Sequence, residues 1–418
     1  MLFVGKVVDR IGTRKGYLYA IGLWSLGACL HAFCGIITSG ILIGNWSFSF
    51  QVSREILAAV QKGSSVFLSI STVSLWLFLG ARIILAIGES GNFPCAIKAV
   101  AEYFPKQDRG FATSIFNVGA QMGALFAPFT IPLIARYLGW EMSFLLIGLL
   151  GFFWMFIWIW FYDAPRNQIR VNKQELAYIE QDGIQEIEIE DNIGISGFKL
   201  LRYFTFRNTW TVIFARCLPD GVWWFFLFWT PAYVKDVYGY SSDSFMGMLL
   251  IFSLYLISMF SIMGGYLPTY LIERKKEDPL MARMKVLLLF ALFPLLGVFA
   301  QPLGEYSCWY PIIIIGIIGA AHQSWSANAY TLVSDLFPKS SVATVTGIGG
   351  MAGGIGSLLF NWGSGILFTY SKENNMEMLG FTGIQAGYML VFLLASVSYL
   401  LSWLQIWIMV DFKNTIVR

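Results

Sequence analysis

Apolar residues run almost unbroken over ten stretches, near 17–37, 73–95, 111–135, 142–162, 209–234, 245–272, 286–303, 311–333, 342–369 and 385–409. A helix needs about 20 mostly apolar residues to cross the hydrocarbon core of a bilayer. Each stretch is therefore predicted as a complete transmembrane helix. One long polar stretch, 163–208, interrupts the series and is rich in Glu, Asp, Gln and Asn. It divides the chain into an N-terminal helical bundle (1–162), a connector (163–208) and a C-terminal helical bundle (209–418). The acidic part of the connector, Glu175 to Asp191, reads as a solvated link, and residues 38–72 read as an enlarged external loop.

Composition narrows the class to an all-α polytopic membrane protein. Only 13% of the residues are charged and 57% are hydrophobic, whereas soluble domains carry about 25% charged residues. The net charge of +3 is small and the basic residues form no massed patch, so no nucleic-acid partner is expected. The five cysteines, Cys29, Cys34, Cys95, Cys217 and Cys308, lie at unrelated spacings and imply no disulfide framework, metal site or redox pair. Cytoplasmic loops carry an excess of Lys and Arg. If residues 1–16 are cytoplasmic, alternation places 21 of the 28 basic residues on that side and five opposite. Both termini are then expected in the cytoplasm. The remaining two, Arg82 and Arg216, fall inside apolar stretches.

The chain also repeats itself. Ala101–Lys106 (AEYFPK) returns 233 residues later as Ser334–Lys339 (SDLFPK), and the same offset pairs Gly123 with Gly356. Two parallel repeats joined by a polar connector are the mark of carriers that bind substrate at the midplane between the repeats. Glycines four apart, Gly349/Gly353 and Gly350/Gly354, let helices approach closely. The glycine-rich segment Gly347–Ala352 follows a hydrophobic helix rather than a strand, so it reads as helix packing and not as a dinucleotide loop.

Charges within spans cost at least about 2.5–3.5 kcal/mol each, which makes them site candidates. Arg82 and Glu89 lie seven apart, hence on one helix face about 10 Å apart along its axis. Arg82 offers a two-pronged donor to a carboxylate, and Glu89, partly desolvated, is placed to take up a proton. The repeat offset puts His322 opposite Glu89. The amides Asn117, Gln121, Gln323 and Asn328 can recognise ligand hydroxyls without burying charge, and Trp224, in the aromatic run 223–229, can stack on an apolar ring face. Arg216 and Asp220, four apart, are read as a structural pair, and His31 as a packing histidine.

At this point the chain resembles the major facilitator superfamily. The segment Gly5-Lys-Val-Val-Asp9-Arg10-Ile-Gly12-Thr-Arg14-Lys15-Gly matches its signature loop between helices 2 and 3. Arg82–Pro94, Asp220–Trp229, Ala321–Asn328 and Gly347–Gly353 are similar to the anion:cation symporter branch and, within it, to hexuronate transporters. The resemblance implies two pseudo-symmetric bundles working by alternating access. It implies a cytoplasmic gate at Asp9, Arg10 and Arg14 whose acid and arginine pair across the halves, and a substrate contact at Gln121. It further implies a hexuronate such as glucuronate or galacturonate carried with a proton, in a bacterial inner membrane, by a monomer without cofactor or metal. Only Met1–Val4 precede the signature loop, so ten complete spans and a remnant of helix 2 are expected where the family has twelve. Another organic anion such as an aldonate, or a sugar-acid receptor without transport, are the alternatives. No HExxH or GxSxG segment supports an enzyme, and Gly88-Glu-Ser90-Gly lacks the strand–turn–helix setting of a nucleophile elbow.

Overall fold

The computed structural model describes residues 1–44, 46–60, 65–181, 201–241 and 244–410. The N-terminal helices are α1 (Leu2–Ile11), α2 (Thr13–Ile43), α3 (Phe50–Ala58), α4 (Ser65–Tyr103), α5 (Arg109–Leu138) and α6 (Trp140–Phe161), and α7 (Lys173–Ile179) lies in the connector. The C-terminal helices are α8 (Arg207–Tyr238), α9 (Phe245–Ser258), α10 (Ile262–Lys275), α11 (Pro279–Leu292), α12 (Ala300–Gly304), α13 (Trp309–Leu336), α14 (Val342–Glu373) and α15 (Ile384–Met409). A two-stranded hairpin, β1 (Glu377–Met378) and β2 (Phe381–Thr382), joins α14 to α15.

Among the described residues, eight helical stretches are long and apolar enough to cross a membrane. Two of them are α9 with α10 and α11 with α12, each pair continuous through a 3-10 segment. A ninth is α5, bent by 46° between Ala127 and Thr130. The tenth predicted stretch is also a helix, α13, but it is too polar to count by apolarity. Nearly every residue of α13 from Pro311 onward is buried. A helix enclosed by other helices needs no continuous lipid-facing surface, so it tolerates His322, Gln323, Ser324, Ser326 and Asn328 on its length.

Two expectations change. The stretch 38–72 is not a loop for most of its length: α2 runs on to Ile43, α3 follows, and α4 begins at Ser65. The Ser49 hydroxyl caps α3 by accepting from the Val52 N–H, and Arg54 reaches the buried Glu141 at the start of α6 (3.4 Å). The connector is not wholly solvated either. Asn172 caps α7, and the Tyr178 hydroxyl donates to Asp108 Oδ2 (2.6 Å), docking α7 on the turn between α4 and α5. Residues 45, 61–64 and 182–200 lie outside the described residues, as do Lys62, Lys199, Lys413 and Arg418, which entered the orientation argument.

Glycines set the closest packings. Gly12, at φ 84° and ψ 158°, occupies backbone space open essentially to glycine alone and separates α1 from α2. A Cβ at Gly356 would overlap the Cys217 carbonyl, so α8 and α14 touch backbone to backbone. Prolines inside helices free the carbonyl four residues back. Pro219 of α8 frees Ala215 O, which accepts from the Trp325 indole N–H (2.8 Å).

Candidate functional site

The signature loop lies at the end of the bundle that also carries the connector. Here Asp9 crosses to the C-terminal helices. Its carboxylate accepts from the backbone N–H of Ala343 (3.2 Å) and of Thr344 (2.7 Å), and from the Thr344 hydroxyl (2.7 Å). An acid at the first turn of α14 complements the helix dipole. The cation on Asp9 is Lys98 of α4 (3.0 Å). Burial pushes the Asp9 carboxyl above its ordinary pKa, against the opposing pull of Lys98 and Thr344. The expected acid–arginine pair across the halves is therefore replaced by an acid on a helix N-terminus. Arg14 stays within the N-terminal helices, on Asp163 (3.1 Å) and Ile159 O (3.0 Å), and Arg10 is without a partner among the described residues.

Three further links close this end. Arg109 donates to Ala101 O (3.2 Å) and to Ser334 O (3.0 Å), the first residues of the two repeated hexapeptides. One guanidinium thus ties repeat-equivalent carbonyls together. Arg283 binds Asp335 and donates to Lys106 O (2.7 Å), and Thr269 donates to Gln107 O (2.7 Å). Sequence reasoning counted Arg109, Arg283 and Lys98 only as loop cations.

Deeper in the bundle, Arg82 and Glu89 are exposed on α4 and have no partner among the described residues. One turn beyond Glu89, Phe93 stacks on Tyr330 of α13, with centroids 5.2 Å apart and planes 14° off parallel. The Arg216 guanidinium lies 4.1 Å from the centre of the same Tyr330 ring. Arg216 and Asp220 are paired as expected (2.7 Å). On α5, Asn117 and Gln121 lie one turn apart and are buried; the Asn117 amide nitrogen has no acceptor, and the Gln121 amide sits 3.5 Å from Ser258. Gln323 is buried without a hydrogen-bond partner among the described residues. Glu89 and Gln121 thus lie close to contacts between the N-terminal and C-terminal helices, Phe93 on Tyr330 and Gln121 on Ser258.

Residues 1–361 match the model of the Major Facilitator Superfamily. The chain belongs to this family of membrane transporters. It is 28% identical over 363 residues to the hexuronate transporter of Escherichia coli (strain K12), covering 85% of this chain and 72% of that one. It is 26% identical over 311 residues to the galacturonate transporter of Dickeya chrysanthemi, covering 73% and 77%. In fold it is similar to the proton:xylose symporter XylE, with a TM-score of 0.59 at 17% identity over 95% of this chain and 82% of that one.

Two expected contacts of this facilitator sit elsewhere, and a third is half engaged. The His322 ring is stacked on Trp223 (5.1 Å, 8°) and its Nδ1 lies 2.8 Å from the Tyr399 hydroxyl, so it is enclosed among the C-terminal helices and not turned to Glu89. The Tyr399 hydroxyl also lies 3.2 Å from Pro219 O. Trp224 faces outward, 40% exposed, against Phe228. Asn328 donates to Gly264 O (3.2 Å), the carbonyl freed by Pro268 of α10, and to Ser324 O (2.8 Å). Its Nδ2 thus satisfies backbone, while its Oδ1 is buried without a donor among the described residues. Asn328→Ala is expected to lower unfolding free energy by about 1–3 kcal/mol, the cost of a buried orphan carbonyl; a melting curve of the purified protein in nanodiscs checks it.

Proposed function

We propose that this transporter imports a hexuronate, glucuronate or galacturonate, together with a proton across a bacterial inner membrane, with the connector and both termini in the cytoplasm. The observation that carries the reading is the exposed, unpartnered Arg82 and Glu89 on one face of a membrane span. Charges left there without partners are costly unless a ligand or proton answers them. Arg82 anchors the substrate carboxylate. Glu89 takes the proton, and Asn117, Gln121 and Gln323 meet the hydroxyls. The hexuronate and galacturonate transporters among its relatives support the substrate class. The bundles 1–162 and 209–418 rock about this layer as one unit each in a monomer. In the state described the connector end is shut by Asp9, Arg109 and Arg283, so substrate reaches the layer from the opposite side.

Uptake of labelled glucuronate and galacturonate into vesicles, with and without an inward proton gradient, tests this. Accumulation should rise about tenfold per pH unit for each proton carried, since a pH unit is worth about 1.4 kcal/mol. Glu89→Gln should retain exchange of labelled for unlabelled substrate and lose about a tenfold factor of accumulation per pH unit of gradient, one proton's share. Unchanged accumulation by Glu89→Gln would remove the proton role of Glu89, and no transport of either sugar acid would remove the substrate.

A further inference from the structure

Arg216 and Asp220 pair as a structural reading requires, but the pair is not satisfied. Their side chains are 9% and 5% exposed, deep within α8. The guanidinium donates through Nη1 to Ser326 (2.8 Å) and through Nη2 to Tyr330 (2.8 Å) and Asp220. Among the described residues, however, its Nε has no acceptor and Asp220 Oδ1 has no donor. A buried ion pair that serves only to hold helices needs its remaining protons and lone pairs satisfied to repay its desolvation. Here one polar atom on each partner is left open.

The surroundings are built for a pair that changes. A Cβ at Gly353 of α14 would overlap the Asp220 carboxylate, so only glycine leaves it room. The backbone carrying the pair is pinned at both ends by other helices, Ala215 O by Trp325 and Pro219 O by Tyr399. The titratable groups around the carboxylate are Arg216 and Cys217 on its own helix, Tyr330 on α13 and Tyr399 on α15, with His322 of α13 near Arg216; α14 offers glycines. The Tyr330 ring against Arg216 is also the ring that stacks on Phe93, one turn from Glu89. The pair therefore borders the layer where the two sets of helices meet.

Resting on the sugar-acid reading above and deepening it, we infer that Arg216 and Asp220 form a second proton-linked anion site. Arg216 needs one anion at a time. With Asp220 ionised, Asp220 is that anion. When a proton from the open aqueous side forms an O–H bond at Asp220 Oδ1, the carboxyl becomes neutral and the substrate's single carboxylate, passed on from Arg82, replaces it as the counter-ion of Arg216. One proton and one negative charge enter together, so the net charge of the site is unchanged. Reversal on the other side of the membrane releases both. Coupling then follows from charge balance around one buried arginine.

The test counts protons taken up when glucuronate binds to the purified full-length chain in weak buffer. Glu89→Gln leaves this pair untouched and should still take up about one proton per glucuronate bound. Asp220→Asn imitates the protonated acid. It should bind glucuronate while taking up about one proton fewer than wild type, and its affinity should lose a tenfold-per-pH-unit dependence. The double variant should bind with no proton uptake. If Glu89→Gln binds glucuronate without any proton, or Asp220→Asn keeps the wild-type count, this inference is wrong and the symport reading stands. If wild type binds neither glucuronate nor galacturonate, the sugar-acid reading fails and takes this inference with it. Should Asp220→Asn not fold, the Glu89→Gln count decides alone.

Discussion

Asp335→Ala is expected to lose about 3–5 kcal/mol of stability, the usual consequence of removing one partner of a buried ion pair. Arg283 is fully buried, 0% exposed, and its Nε is held by Asp335 while Nη2 reaches Lys106 O. Its Nη1 already lacks an acceptor. Without Asp335 the guanidinium keeps a full charge in a packed interior, with one backbone carbonyl as its only remaining hydrogen-bond acceptor among the described residues. The loss should come from the abandoned cation more than from the pair itself. A double variant, Arg283→Met with Asp335→Leu, removes both charges and should recover most of the stability. It would still lack the link to Lys106 O, so it separates folding from closure of the connector end. Melting curves of the three proteins in nanodiscs give the answer, and an Asp335→Ala protein that melts with wild type would rule out a net contribution from the pair.

The long helices were legible because lipid-length apolar runs are a coarse and redundant signal. Even α13 was found by its run, although its burial among other helices lets its second half turn polar. The nine-residue α3 was not found. Between two long runs a short helix with a serine cap looks like polar loop, and nothing local says that Arg54 will meet Glu141. Arg82 and Glu89 stood out because charges within apolar runs are rare. The backbone bonds of Asn328 were not legible, for a different reason. Pro268 announces that Gly264 O will lose its partner, but which side chain answers depends on how α13 crosses α10. The connector end was half legible in the same way. Asp9 was found, while its partners on α14 are two backbone N–H groups and the Thr344 hydroxyl, and no pattern of side chains displays the first two. The repeat located the two hexapeptides; only the fold brings their first carbonyls to one arginine.

Asp9→Ala should open the connector end. Asp9 accepts three hydrogen bonds from the first turn of α14 and one from Lys98. A hydrogen bond to a charged group is worth about 1.5–3 kcal/mol, and each 1.4 kcal/mol is a factor of about ten in an equilibrium. Losing even one of these bonds should therefore raise the open fraction about tenfold, and Lys98 left without its counter-ion adds to the shift. The gate contains its own reporter. Cys95 is 0% exposed and packs with Val8 and Ala343, beneath the Asp9 contact. In a protein whose other four cysteines are replaced by alanine, a maleimide should label Cys95 at least about ten times faster after Asp9→Ala. Lys98→Met should act more weakly, because the bonds from Asp9 to α14 survive it. Equal labelling rates in wild type and Asp9→Ala would show that α1 is held on α14 by packing alone, through the close approach of Gly5 to Ala343 and Gly347 to Met1. The carboxylate would then have no part in the gate.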